Sequence, residues 1–315
     1  MHLRFVAILI YTFCFKISFA QSVFIKWFDH PFTAADTNYI QPNPDRWSLR
    51  LNSTYKLNNY SCKFANSPIS YTGKTSIGFG AGFSFRNFVA DVAVKTQPYH
   101  TTENVFINAL KSDMVFSMYN HQHLIDGQAQ FYDGYVEEEL QTHIIMHSNS
   151  PITVRNFGLQ YNYLRNYKHF SMTAAMIGSE IQKHSAGSFL IGGGVNYFHL
   201  ATALIDPLDL KTTNIVEGSL SAGCAGTLVF HPCFVMLNFT PTLNFEYGVN
   251  DNDYTVRNGF VFALASRDAI GINLKHFYFI ATSYFNIQQT TIVNKTQLLF
   301  RDFGRLPFVL GYRFY

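Results

Sequence analysis

His169 and Ser171 stand two positions apart in the stretch KHFSM, the spacing that would put a base and a nucleophile on one face of an extended strand. With an Asn or similar group to orient the imidazole, such a pair is the minimum equipment of a lipid hydrolase built on a barrel wall. The neighbouring residues argue against that use. Phe170, Met172, Ala174 and Met176 would form the apolar row of the same strand, which directs His169 and Ser171 inward, away from lipid. His147, Ser148 and Asn149 are consecutive and expected in an outer loop; adjacent strand residues face opposite ways, so they make a weaker catalytic cluster still. Glu137, Glu138 and Glu139 read as a solvated strand end rather than a cation site. The expectation is a protein without enzymatic activity.

Other chemistry is equally sparse. No Cys/His cluster has metal-ligand spacing, and the run SIGFGAGFSF (76–85) matches no G-x-G-x-x-G and leads into no helix, so neither a metal nor another cofactor is expected. Cys62, Cys224 and Cys233 follow the leader region; Cys224 and Cys233 could close a hairpin disulfide, and three unpaired thiols is the other reading. Arg50, Arg155, Arg165, Arg257, Arg267, Arg301 and Arg313 recur through the strand regions. They would either line a lumen with Asp91, Glu180 and Glu246 or sit at membrane interfaces near lipid headgroups.

What must position all of these is a set of long alternating strands. In SIGFGAGFSF, Ile77, Phe79, Ala81, Phe83 and Phe85 share one face, and glycine or serine takes the other. In VMLNFTPTLNFEY, Val235, Leu237, Phe239, Leu243, Phe245 and Tyr247 lie on one side, while Asn238, Thr240, Thr242, Asn244 and Glu246 form a polar row expected to face a lumen. Runs of ten residues or more exceed the ~5 to 6 of a globular strand and match the ~9 to 11 of a tilted membrane strand. The polar rows hold amides, hydroxyls and glycine rather than Lys and Glu, which suits an enclosed interior and a barrel with its greasy side on lipid. Gly78, Gly80 and Gly82 would sit on the inner wall, letting it curve or another segment lie close.

Composition agrees. The 315 residues carry a formal net charge of +3, with 48% hydrophobic, 17% aromatic and 14% charged residues. That is too apolar for disorder, too weakly basic for nucleic acid, and about half the usual ~25% charge of a water-facing surface. Residues 1–20, MHLRFVAILIYTFCFKISFA, have the basic start, apolar stretch and small residues of a cleaved signal peptide, with Gln21 as the new N-terminus. Beyond them no apolar run is long enough for a helical span, so a closed barrel is the structure left that satisfies its backbone in lipid.

Residues 21–46 lack alternation, contain Pro31, Pro42 and Pro44, and read as an irregular lead-in; residues 47–315 read as one barrel. Thirteen strands can be marked, at 47–57, 73–86, 87–97, 111–121, 127–136, 155–165, 169–179, 187–201, 214–229, 233–247, 257–274, 276–290 and 298–315. A single-chain barrel wants an even number with alternating short and long connections, and that alternation breaks near residue 180. The miscut lies between 169 and 213, and the expected count is 12 or 14. Loops at 58–72, 97–110 and 137–154 are the expected recognition surfaces.

DTNYI (36–40), FYDGYV (131–136), RNFGLQYNYLRNYKHFSMTAAMIGSEIQKHSAGSFLIGGG (155–194) and LGYRF (310–314) together resemble the DUF4421 family of Bacteroidota. The resemblance spans most of the chain after residue 20 and implies an outer-membrane barrel, with outer-membrane lipids and the barrel-insertion machinery, through the C-terminal aromatic strand, as partners. It implies no activity or ligand. Two departures stand out: Asp133 precedes the glycine of DGY where the family favours a basic residue, and Tyr315 follows the terminal GYRF, leaving Phe314 and Tyr315 as alternative closing aromatics.

Three readings follow. The first is a non-enzymatic outer-membrane barrel, all-β, closed and antiparallel, either plugged or a narrow channel, with the plugged form expected because small barrels are filled by side chains. The second is an outer-membrane lipid hydrolase using His169 and Ser171. The third is a soluble exported ligand-binding barrel, which strand length and the uncharged second face disfavour.

Overall fold

The computed structural model describes residues 35–42, 47–63, 68–73, 76–85, 88–96, 113–139, 144–202, 212–250, 259–292 and 297–314. The signal-peptide segment, most of the lead-in, Arg257 and Tyr315 lie outside them. In chain order the elements are β1 (Ile40–Gln41), β2 (Trp47–Lys63), β3 (Pro68–Gly73), β4 (Ser76–Phe85), β5 (Phe88–Thr96), β6 (Asp113–Asn120), β7 (His123–Glu139), β8 (Ile144–Leu164), α1 (Met172–Met176), β9 (Ile181–Gln182), β10 (Ala186–Thr202), β11 (Thr212–Phe230), β12 (Cys233–Asn250), β13 (Gly259–Asn273), β14 (Phe277–Ile292) and β15 (Gln297–Arg313).

Thirteen of these strands form one antiparallel sheet, which closes where β15 returns to β2 through pairs such as Leu310↔Leu51 and Tyr312↔Leu49. Twelve of them make the barrel wall. The thirteenth, β3, bridges β2 (Cys62↔Ile69) to β7 (Thr72↔Val136), so that at that level one strand stands in for β4, β5 and β6. Closure is what the long alternating strands require: each backbone donor and acceptor finds its partner in the next strand, and no edge is left to seek one elsewhere.

The alternation sorts the two faces as periodicity dictates. Leu220, Phe260 and Phe262 are 72%, 72% and 80% exposed on the exterior, amid a band of Leu, Ile and Phe from most of the wall strands. Asn238, Thr240, Asn244 and Glu246 are buried inside. In water such an exterior would forfeit about 1.5–3 kcal/mol for each large apolar side chain left unburied, whereas hydrocarbon imposes no such cost. Its natural surroundings are lipid.

The bare face of SIGFGAGFSF has a local use. Gly82 lies in the cross-strand row between Arg50 on β2 and Asp91 on β5, and these two form an ion pair (3.3 Å) across it. A Cβ at Gly82 would collide with the Asp91 carboxylate. One strand goes without side chains there so that its neighbours can reach over it.

Three sequence expectations change. The marked strand 169–179 is not part of the wall: Met172–Met176 is a helical turn, and 165–185 is the connection between β8 and β10. Removing it gives twelve strands and corrects the phase of the connections, with 165–185 as one long excursion on the end whose other described connections are short. His147, Ser148 and Asn149 are in β8 rather than a loop, and the expected loops at 58–72 and 137–154 are largely strand. Polar strands can continue pairing their backbones in water, so strand ends are not marked by the loss of apolar alternation. Of the two cysteine readings, wall-facing thiols hold for Cys224 and Cys233, which are free and exposed, each opposite a phenylalanine (Phe239 and Phe230).

Candidate functional site

The start of β2 and the end of β15 lie at one end of the barrel, together with the tight turn at His121–Gln122 and the short connection after Asn273. At that end the 165–185 connection enters the bore. Ser171 N-caps α1, its Oγ accepting from Ala174 N (3.0 Å) and donating to Glu180 Oε2 (2.6 Å). The helix stops at Gly178, whose φ of 76° suits glycine. Every residue from Phe170 to Glu180 is buried.

The filling is apolar in the middle. Phe170, Met172, Ala175, Met176 and Ile177 pack with wall residues Tyr119, Leu124, Leu164, Leu190, Phe234, Met236 and Ile280 into one core. Contacts of α1 reach β12, β13 and β14 as well as β6, so it lies across the bore rather than along one wall. Four large side chains, Phe170, Met172, Met176 and Ile177, stabilise the seat by about 1.5–3 kcal/mol each.

Polar anchors hold the rim of this filling. Arg313, 0% exposed, donates from Nε to Gly178 O (2.5 Å) and from Nη2 to Asn273 Oδ1 (2.6 Å) and Glu180 O (3.4 Å). Its Nη1 donates to Leu274 O (2.8 Å), and its guanidinium lies 4.6 Å from the centre of the Tyr278 ring. Tyr278 covers Gly311 on the wall and touches Gly178, positions where a Cβ would strike its ring. Glu180 Oε1 faces His121 Nε2 (3.2 Å). The lead-in joins the same seat: β1 pairs with β9, Lys183 N donates to Tyr39 O (2.7 Å), and the Gln182 amide binds the Ser171 N–H and the carbonyls of His169 and His184.

Against this background His169 and Ser171 part company. His169 faces Asp36 (3.6 Å) and Asn166 (3.2 Å) and packs on Tyr39, while the Ser171 hydroxyl is enclosed with Glu180. The two-residue spacing meant a shared face only on a strand, and here the chain turns between them. Glu180, expected to line a lumen beside the arginines, belongs to the plug itself.

Above the plug the lumen holds a cavity of about 190 Å³, floored in part by Met172 and Leu190. Asn238, Thr240, Thr242 and Asn244 of the expected polar row line it; Glu246 is buried and accepts from Gln288 Nε2 (2.6 Å). Glu217, directly across from Glu246, accepts from the same amide (3.1 Å) and from Asn196 Nδ2 (3.1 Å). Arg267 is ion-paired to Asp126, whose Oδ1 also accepts from Ser117 (2.6 Å) and Tyr119 (2.7 Å). Arg305, on the strand beside Tyr284, lies 4.0 Å from the centre of that ring, and Arg267 lies 5.7 Å from it. Arg155 and Arg165 are exposed, so the arginines divide between lumen and exterior.

Tyr284, Asp126, Gln288 and Arg305 were not singled out from sequence. The signal was present in the parity of their strands: Gln288, Tyr284 and Tyr278 share the face opposite Phe277, Phe279, Phe285 and Ile287. Among the described residues no cluster of His, Cys, Asp and Glu could hold a metal ion.

A family model described as a domain of unknown function, DUF4421, matches residues 34–314. No curated protein matches the chain. Similar solved structures include the outer membrane protease OmpT from Escherichia coli, with TM-score 0.37 and 7% identity over 86% of this chain and 98% of that one. A bacterial polysaccharide outer membrane secretin matches with TM-score 0.33 and 8% identity over 86% and 99%. The P. putida toluene transporter TodX matches with TM-score 0.29 and 8% identity over 86% and 91%. Likeness at these scores carries no argument, and the fold rests on its own strand register.

Proposed function

The chain belongs to the DUF4421 family, and from that premise and the lumen just described we propose a non-enzymatic outer-membrane barrel, plugged at the end where β2 begins and β15 finishes and open to small polar solutes above the plug. The observation that carries the reading is the unbroken burial of Phe170 to Glu180 inside the bore, with α1 lying across it. Two hydrogen bonds from Arg313, itself fixed by Asn273 and Leu274, and an apolar core hold the segment, so the resting barrel passes no continuous water column. The exterior of Leu, Ile and Phe supports insertion in a bilayer, and the C-terminal strand, ending in exposed Tyr312 and Phe314, supports delivery by the barrel-insertion machinery.

The test is single-channel recording in planar bilayers with detergent-refolded protein, its folding verified by heat-modifiable gel migration. The intact barrel is expected to insert without stable conductance steps. A variant with residues 167–184 replaced by a short Gly/Ser linker is expected to conduct. Stable steps from the intact barrel would overturn the plugged reading. Release from membranes by salt or carbonate without detergent would overturn the membrane placement.

A further inference from the structure

The cavity above the plug has an uneven charge layout. Asp126 is committed to Arg267, and Asp91 to Arg50. Arg305 has no hydrogen-bond acceptor and no carboxylate partner among the described residues. Its guanidinium is laid over the face of Tyr284, which fixes the plane of the group while leaving its N–H edge unspent. Two arginines thus meet at Tyr284 with one carboxylate between them, while the other carboxylate in the cavity lining, Glu217, is engaged by the Asn196 and Gln288 amides.

A second observation is independent of charge. Asn156, Asn196 and Asn244 border the same cavity, and their side-chain amide oxygens are buried with no hydrogen-bond partner among the described residues. Gln128, Gln160, Asn162, Thr240 and Thr242 line the cavity too, so much of its wall is amide and hydroxyl. Amide groups present both donors and acceptors, so the wall suits a hydroxyl-rich body, and the unpaired fork of Arg305 suits a planar or tetrahedral oxyanion.

We propose that the lumen cavity is a binding site for a small hydroxylated solute bearing a carboxylate or phosphate, with the oxyanion on Arg305 and the neutral remainder on the asparagine wall. The assignment rests on the plugged reading, because a lumen open at both ends would exchange its contents freely. The shared chemistry is the oxyanion; free phosphate and sugar acids are its two sources.

The experiment is titration calorimetry of the refolded intact barrel with three probes: inorganic phosphate, D-glucuronate and D-glucose. The expected result is binding of phosphate, glucuronate or both, with glucose at least about tenfold weaker, the loss that removing one charge-assisted contact causes. Phosphate alone would point to the free ion and glucuronate alone to a sugar acid. Arg305→Gln is expected to abolish the preference over glucose, and Arg305→Lys to retain part of it because charge survives and the fork does not. Equal binding of glucose and glucuronate, no binding of either anion, or unchanged anion binding by Arg305→Gln overturns the proposal. Gel migration of both variants confirms the fold, and bilayer recording of the same preparations separates a failure of this site from a failure of the plug.

Discussion

The two halves of the lumen are filled by different means. At the end where β2 begins and β15 finishes, the 165–185 connection folds back into the bore and makes a core of the kind found in water-soluble proteins, with Phe170, Met172 and Ile177 against inward Leu, Phe and Met from the wall. A few residues higher on the same strands the inward positions are Asn, Gln, Thr and Ser, and space is left between them. On strands such as β12 the wall therefore changes its inward chemistry along its length while the exterior band stays largely apolar. On β12, Phe234 and Met236 meet the plug, and Asn238, Thr240 and Asn244 face the cavity. The lesson is that lumen polarity marks where chain is packed and where solvent or solute is admitted.

The largest test of that contrast is one substitution at two arginines. Arg313→Met leaves plug carbonyls and Asn273 without a buried donor and is expected to destabilise by about 3–5 kcal/mol. Arg305→Met, which breaks no hydrogen bond among the described residues, is expected to cost within about 1 kcal/mol, the scale of an exposed cation–π contact. Urea unfolding in lipid vesicles measures both; equal losses would mean that the cavity is as tightly built as the plug.

Next comes the comparison of wall faces on β11. Leu220→Arg places a charge in the exterior band and is expected to cost about 2–4 kcal/mol, while Ser219→Arg, pointing into the cavity, is expected to cost clearly less. Refolding yield in vesicles and urea midpoints report the difference. Matching losses would contradict a lipid-facing exterior.

Glycines give a smaller contrast. Gly178→Ala combines a φ of 76° with a clash against Tyr278 and is expected to lose about 1–3 kcal/mol. Gly218→Ala, with nothing within 4 Å of the new methyl, is expected to be neutral or slightly stabilising. Ser171→Ala is expected to cost about 1–2 kcal/mol, for a lost cap and a lost partner for Glu180. It should appear as earlier proteolytic nicking of 165–185 without loss of the barrel band on gels. Loss of the barrel itself would show that plug and wall fold as one unit.

Much of the wall was legible because its signal is local. Strand parity, length and residue type placed Asn238, Thr240, Thr242 and Asn244 on the side that lines the cavity, and the broken alternation of loops located the miscounted strand. The plug was hidden by its own composition. Phe170, Met172, Ala174 and Met176 alternate as a strand would, yet Thr173 and Ala175 are buried too, and a short segment buried on all sides carries no periodicity that separates helix from strand. Ser171 as an N-cap, the Ala174–Ala175 pair and Gly178 were the helical marks available.

By itself the sequence determined a closed antiparallel barrel with a greasy exterior, because alternation over ten or more residues admits few other solutions for the backbone. Only the tertiary structure decided what fills the bore. Arg313 meeting Gly178, Glu180 meeting His121, and Arg305 standing over Tyr284 depend on which strands become neighbours and how far each is staggered. Register is a property of pairs of strands separated by tens of residues, and no single strand encodes it.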